Sequence, residues 1–303
     1  MIKRINRSPL FYVGDKYKLM RQLLEYFPKQ INNYFEPFVG GGTVFLNVSA
    51  NNYFLNDFDE NLINIHRYLI KSAQDEEKFY RDVDRVISEY KLSCSYKKND
   101  IPEELRKKFK KTYFAHFNKK NYIKLRNDFN EKNKNDYLHL YLLLIYGFNR
   151  MLRFNKKGEF NIPVGNVDFN KNVVEALNNY FSIVKNKNIE FEICDYRDFF
   201  KQKEYKYEHD DFVYIDPPYL ITSSEYNKYW DIQNELELLE IVDKLDRKGV
   251  KFALSNVTHY KGKENQNLIR WLKRYKSYTI KSNYINYHDN KKKEIREVLI
   301  TNY

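Results

Sequence analysis

Two short stretches of this 303-residue chain combine residue types that could do chemistry. The first is Asp216, Pro217, Pro218 and Tyr219, which close the apolar run DFVYIDPPY at residues 211–219. Consecutive prolines hold the backbone in an extended turn and remove two donors, which leaves the Pro217 carbonyl to point at a ligand. With the Asp216 carboxylate it makes a fork of two acceptors beside an aromatic face. That fork suits an exocyclic amino group on a flat ring, because it accepts both N–H hydrogens while Tyr219 stacks on the ring. Held in this way, the amine is biased toward the tetrahedral geometry that returns its delocalised lone pair to nitrogen for attack. The competing reading is an ordinary proline turn after a strand.

The second stretch is EPFVGGGTVFLN, residues 36–47, which carries three of the nine glycines side by side. Glycines between a strand and its helix let the backbone approach a ligand at the carboxyl edge of a sheet, near the positive end of the helix. Asp57, at the end of the next strand, can accept both hydroxyl hydrogens of a ribose. Together they read as a site for a nucleoside cofactor. The spacing matches neither the dinucleotide nor the triphosphate glycine fingerprint. A tight strand-to-helix turn is the alternative.

These residues need elements that position them. NNYFE and NYFLND read as strands, TVFLNVSA and FDENLINIHRYLIKS as helices, so the chain opens in βαβα order and implies a parallel sheet covered by helices. From residue 72 to about 146 strand signals vanish. The alternation resumes with IEFEIC, DFVYID, the helix NELELLEIVDKLDRKG closed near Gly249, VKFALSN, the helix ENQNLIRWLKRY, and the strands YTIKSNYI and REVLITNY. The fold class is therefore α/β. Residues 1–71 and 166–303 form one domain, interrupted by a mainly helical insertion at 72–165.

Composition narrows the partner. The formal net charge is +12, and residues 91–134 alone hold fourteen Lys or Arg against five Asp or Glu. A basic field of this kind favours a polyanion, although a solvated helical face has the same signature. Cys94 and Cys194 are far apart and fit no disulfide or metal pattern, which points to a reducing cytosol. The six histidines lack metal-ligand spacing, so no metal is expected. No apolar h-region or membrane-length segment is seen, and the protein reads as soluble, cytoplasmic and not exported. Neither cysteine follows a proline, so a covalent cysteine mechanism is not indicated.

On these residues the chain resembles the Dam-type DNA adenine-N6 methyltransferases, the alpha group of the D12 class, and within it the DpnII-type modification methylases. The likeness covers nearly the whole chain. SPLFYVGDKYKL resembles the N-terminal motif with Tyr12, Gly14 and the cofactor lysine, Lys16; FEPFVGGGTVFLN resembles the glycine motif with Glu36, Pro37, Phe38, Gly40, Gly41 and Gly42. Asp57 takes the ribose position. CDYRDFF resembles the segment that holds the cofactor's adenine, through Asp195 and Tyr196 with Asp198 as an alternative. DPPY resembles the catalytic motif, with Asp216 also at the cofactor. The implied fold is a Rossmann-like methyltransferase sheet with an inserted DNA-recognition domain, and the implied cofactor is S-adenosyl-L-methionine.

GFNRMLRFNKKGEFNIPVG, residues 147–165, is similar to the segment through which such enzymes read GATC. Carried over by position, Phe148 wedges into the base stack with Asn149 beside it, and Met151 touches a thymine methyl. Arg153 and Asn155 face bases or backbone, next to Lys156 and Lys157. These types suit the task, since an aromatic ring fills a base gap and an arginine fork meets major-groove acceptors. The resemblance implies a bacterial or phage enzyme acting on double-stranded DNA, and one catalytic unit per chain makes a monomer the default. A restriction endonuclease would share its site without stable contact. Two readings stay open beside it: cytosine-N4 methylation, which uses the same amine chemistry, and a catalytically inactive DNA-binding relative.

Overall fold

The computed structural model describes residues 4–97, 101–204, 207–208, 210–222, 229–281 and 295–303. The chain divides into two compact units. One comprises Met1–Asp15, Gly40–Leu46 and Asp59–Lys187; the other comprises Lys16–Val39, Asn47–Phe58 and Asn188–Tyr303.

The second unit holds the sheet. Its strands are β1 (Asn33–Glu36), β2 (Asn52–Asn56), β3 (Asn188–Glu192), β4 (Phe212–Ile215), β5 (Lys251–Tyr260), β6 (Lys263–Glu264), β7 (Lys276–Ile280) and β8 (Ile295–Thr301). They lie in the order β3-β2-β1-β4-β5-β8-β7, with β6 pairing β5. From β3 to β5 all pairs are parallel, while β8 runs antiparallel between β5 and β7. The order reverses between β1 and β4. In an open sheet of this Rossmann-like kind, ligands bind outside the strand carboxyl ends at that reversal. Glu36 ends β1 there, and Asp216 follows β4.

Alternation along the strands builds two apolar faces. Phe35, Val213, Ile215 and Leu254 join a core with Leu238 and Val242 of helix α10 (Ile232–Arg247). On the opposite face Phe27, at the end of helix α1 (Met20–Tyr26), meets Phe212 at 5.0 Å and Tyr214 at 5.3 Å. Asp231 caps α10 by accepting from Asn234 N, and Gly249 follows its end with φ +73°.

The first unit is helical: α2 (Thr43–Asn47), which ends in the sheet unit, then α3 (Glu60–Ser72), α4 (Glu76–Glu89), α5 (Glu103–Phe109), α6 (Tyr113–Lys132), α7 (Tyr137–Tyr146) and α8 (Lys171–Val184). Helix α7, YLHLYLLLIY, is apolar all round and buries eight of its ten residues, as a central helix must. Helices α3 and α6 pack on it, and α8 packs on α3. Among the described residues no helix is long and apolar enough to cross a membrane.

The strands and long helices read from sequence are present, and residues 73–187 contribute no strand to the sheet among the described residues. Three elements departed from the reading. Helices α1, α8 and α9 (Tyr196–Lys203) were not anticipated; α8 begins in an asparagine-rich stretch where Asn170 accepts from the backbone of Asn172 and Val173 and starts the helix. The final strands are antiparallel, because pairing direction leaves no mark on strand periodicity. Residues 282–285 of the expected strand YTIKSNYI lie outside the described residues.

Candidate active site

Strand β4 is buried along its whole length and delivers Asp216 to the sheet edge. The Asp216 side chain keeps 18% exposure, and each carboxylate oxygen is held. Lys16 Nζ, 7% exposed, stands 2.5 Å from Oδ2, and the Tyr219 hydroxyl donates to Oδ1 at 2.8 Å. The same hydroxyl lies 3.2 Å from Oε1 of Glu297 on β8, a residue buried to 1%. Lys16 Nζ also sits 5.3 Å from the centre of the Tyr219 ring. Thr222 closes the turn, its backbone N–H and its hydroxyl each donating to the Tyr219 carbonyl at 3.0 Å. An ionised carboxylate offers about four acceptor positions, so two hydrogen bonds leave room for an incoming amine. Pro217 is buried, while Pro218 and Tyr219 are half-buried.

Beside this corner the ends of β1, β2 and β3 are tied by one side chain. Asn56 Nδ2 donates to the carbonyls of Pro37 and Cys194, both at 3.0 Å, and its Oδ1 accepts from Cys194 N at 3.1 Å. Val39 N donates to the Asn56 carbonyl at 2.8 Å. This clasp fixes the edge from which Asp57, half-buried, projects. Glu36 is 2% exposed and accepts from the Tyr34 hydroxyl at 2.9 Å. Burial first and the Glu36 charge second push the Tyr34 phenol well above its ordinary pKa, so it stays a neutral donor.

Asp195 caps α9, accepting from Arg197 N at 2.8 Å and pairing with the Arg197 guanidinium at 3.1 Å. Tyr196 is buried, donates to the Asn234 carbonyl at 2.8 Å, and packs 5.4 Å from both Phe38 and Trp230. Asp198 is exposed in the first turn of α9. Burial pushes the Cys194 thiol up to about 11, with Glu192 adding to it, and raises Cys94 as well. Neither is poised as a thiolate nucleophile.

In the helical unit the glycine turn is required by its neighbours. Gly40 and Gly42 have φ of +49° and +77°. A Cβ on Gly42 would lie 2.5 Å from the Phe45 ring and 2.8 Å from the His66 ring; one on Gly41 would lie 2.8 Å from Tyr12 Cβ. His66 is fully buried, and burial depresses its pKa to about 4. Its Nε2 lies 2.9 Å from the Gly40 carbonyl, which can only accept, so the neutral ring carries its proton there. That leaves Nδ1 to accept from the Tyr180 hydroxyl at 3.4 Å. Tyr12 is buried, and Gly14 has φ +84° with nothing among the described residues within 4 Å of its missing Cβ.

Residues 147–165 form an irregular hairpin bridged at Gly147–Val164 and Phe154–Phe160. Phe148 is 51% exposed, Asn149 is exposed with φ +52°, and Met151 is half-buried. Arg153 Nε donates to Asn161 Oδ1 at 2.8 Å. Asn155 shapes the tip, its Oδ1 accepting from Lys157 N at 2.9 Å and Glu159 N at 3.0 Å, while Lys156 and Lys157 stay exposed. From α6, Asn130 donates to the Phe160 carbonyl at 3.0 Å and accepts from Phe160 N at 2.8 Å. Among the described residues no cluster of His, Cys, Asp or Glu could hold a metal ion.

A model of the D12 class N6 adenine-specific DNA methyltransferases matches residues 12–288. The chain belongs to that class. It is 34% identical over 98% of its length to the type II methyltransferase M.FokI of Planomicrobium okeanokoites, and 34% identical over 99% to the modification methylase StsI of Streptococcus sanguinis. It spans 43% of the length of each of those two relatives. With the type II methyltransferase M.MjaIII of Methanocaldococcus jannaschii it shares 33% identity, covering 97% of this chain and 98% of the other. The mostly parallel sheet with its flanking helices is the Rossmann-like methyltransferase fold of this class.

Within this D12-class chain, three structural side chains escaped the reading of the sequence. Asn56 sat unremarked one residue before Asp57, His66 lay inside a helix pattern, and Glu297 lay inside the strand REVLITNY. A carboxylate on the strand face it shares with Ile295 and Leu299 was the available signal for Glu297.

Proposed function

We propose that this chain transfers a methyl group from S-adenosyl-L-methionine to N6 of an adenine turned out of duplex DNA, within GATC. The observation that carries the reading is the Asp216 carboxylate, fixed at the reversal of strand order by Lys16 on one oxygen and Tyr219 on the other. Class membership supports the base and the reaction. The likeness of residues 147–165 to the GATC-reading segment supports the site.

The residues present fit the cofactor: a carboxylate, Asp57, follows a strand end clasped by Asn56, and Glu36 stands at the neighbouring strand end. Asp57 would accept the ribose hydroxyls. Glu36, Pro37, Phe38 and the segment at Asp195 and Tyr196 would border the rest, with Tyr12, Gly14 and the backbone of Gly40–Gly42 as the motif implies. S-adenosyl-L-methionine supplies an electrophilic methyl group on a sulfonium. The chain's own part is positioning. N6 cannot be reached in a stacked duplex, so the base must be extruded. Asp216 and the Pro217 carbonyl then hold the two amine hydrogens and Tyr219 covers the ring, which aligns the nitrogen lone pair and lowers the barrier largely through orientation. Lys16 aims the Asp216 carboxylate.

In this reading residues 72–165 serve as the target-recognition segment. The parts 1–71 and 166–303 carry catalysis. Phe148 would fill the space left by the base, and Arg153 would offer hydrogen bonds to base edges. The chain acts as a monomer in the cytoplasm, and a restriction endonuclease cutting the same site would be its partner in function without stable contact. The test is methyl transfer from labelled cofactor to two duplexes, one with GATC and one with those bases scrambled, followed by mass spectrometry of the nucleosides. N6-methyladenine from the GATC duplex alone is expected. N4-methylcytosine would overturn the base, equal labelling of both duplexes the site, and no transfer to either the activity.

A further inference from the structure

In the helical unit two arginines share one aromatic ring. The guanidinium carbon of Arg7 lies 4.5 Å from the centre of the Phe11 ring, and that of Arg150 lies 4.0 Å from the same centre. Each contact alone is an ordinary cation–π pair. Their coexistence is not, because two like charges are held within a few ångströms of one ring.

Three further features work against this arrangement in the protein alone. Arg150 is partly buried, and its Nε–H is out of solvent with no acceptor among the described residues. Burial, then the charge of Arg7, lowers the Arg150 pKa to about 10. Among the described residues, the charges and polar groups that act on Arg150 are Arg7, Tyr141 and Asp15. Tyr141 is a buried phenol whose pKa is raised well above its ordinary value, so it brings no negative charge. Asp15, 3.8 Å from Arg7 Nε, is one carboxylate set against two guanidiniums. Finally, Phe11, Asn149 and Arg150 adopt φ of +49°, +52° and +51°, a left-handed backbone that costs bulky L-residues free energy.

Like-charge proximity, a buried unsatisfied donor and backbone strain thus coincide at one place. The first two are relieved by an anion with several acceptor oxygens, and the strain marks a place where the backbone is held for a purpose. Arginine pairs match phosphate oxygens in fork geometry, and the guanidinium is weakly hydrated enough to sit half-buried while waiting for one. The location fits as well: Arg150 is two residues after the exposed Phe148.

We propose that Arg7 and Arg150, set on the Phe11 ring, form a phosphate-binding site that takes a backbone phosphodiester of the DNA. The inference rests on the reading of this chain as a DNA enzyme. The site positions the strand and reads no base, since phosphate contacts fix register without carrying sequence. Arg150 stands outside the residues that the recognition motif assigned.

Fluorescence anisotropy of a labelled duplex over a salt series tests it, using the full chain, the GATC duplex and the scrambled duplex. Arg150→Gln is expected to bind both duplexes roughly tenfold more weakly. The slope of log affinity against log salt is expected to fall by about 0.9, one phosphate's worth of released counterions. Arg150→Lys should restore the slope. Should Arg150→Gln unfold, as judged by thermal melting, Arg7→Gln should show the same loss of slope from a more exposed position. Wild-type protein that binds with a slope that neither glutamine variant changes would make the pair a purely structural staple and overturn the site. A loss confined to the GATC duplex would make Arg150 a base reader, which also overturns it. Wild-type protein that binds neither duplex would overturn the underlying DNA reading instead.

Discussion

Lys16 and Asp216, two hundred positions apart in sequence, meet as a nearly buried ion pair of 2.5 Å in which the lysine grips the carboxylate oxygen that Tyr219 leaves open. A lysine so placed acts on the carboxylate first. Replacing it by methionine removes the charge and leaves the stem, so Asp216 loses its aim. A misplacement of about 1 Å at a reacting group costs roughly 100-fold in rate. Lys16→Met should therefore lower single-turnover methyl transfer by about 10–100-fold, with cofactor affinity measured by calorimetry changing far less. A large affinity loss at an unchanged rate would make Lys16 a cofactor ligand alone.

Tyr219 combines two tasks that substitution can separate. In the proposed mechanism its ring is the stacking face, and its hydroxyl lies against both Asp216 and Glu297. Tyr219→Phe keeps the face and removes one hydrogen bond, worth about 0.5–1.5 kcal/mol. The rate should drop by about threefold to tenfold, while extrusion of the base, followed by 2-aminopurine fluorescence at the target position, stays as in wild type. Glu297→Gln should mimic that partial loss, because it acts through Tyr219. A Tyr219→Phe enzyme as impaired as Tyr219→Ala would show that the ring contributes little.

His66 predicts an acid limb in stability. Its folded pKa is near 4 and its ordinary value 6.5, so the unfolded chain takes up the proton first. Stability is complete above pH 6.5 and is lost as the pH falls toward 4, by on the order of 3 kcal/mol at most. Urea unfolding between those limits should show the loss. His66→Gln, whose amide can still donate to the Gly40 carbonyl, should flatten it. Equal pH slopes in the two proteins would remove His66 as the cause.

Two glycines with positive φ should respond differently to alanine. Gly14 at φ +84° has open space around its missing Cβ, so Gly14→Ala should cost only about 1 kcal/mol of conformational strain. At Gly42 the same strain is joined by contacts of 2.5 Å and 2.8 Å to the Phe45 and His66 rings. Gly42→Ala should cost about 2–4 kcal/mol, because overpacking adds to the backbone strain. Denaturant midpoints compare the two directly, and similar costs would show that the Phe45 and His66 rings move aside.

Legible in the sequence were residues whose place in the proposed site follows from local spacing. Asp57 and Asp216 end apolar strands, the glycines separate a strand from a helix, and DPPY fixes its own backbone. The signals that failed were non-local. Glu297 matters because β8 runs antiparallel beside β5, and Asn56 because three strand ends converge on its amide; neither fact leaves a period in the sequence. The glycine turn shows a second limit. A bare backbone reads as room for a ligand, whereas Tyr12, Phe45 and His66 crowd Gly41 and Gly42 from within the chain. Close approach by a ligand and close packing by neighbours select the same residue type.

In the proposed mechanism Asp216 works on the amine, held there by Lys16 and Tyr219. The most direct measurement is single-turnover transfer of labelled methyl to the GATC duplex by Asp216→Ala, beside cofactor and duplex affinity of the same protein. No detectable transfer is expected, with binding of both largely kept. Transfer at a rate near wild type would contradict it.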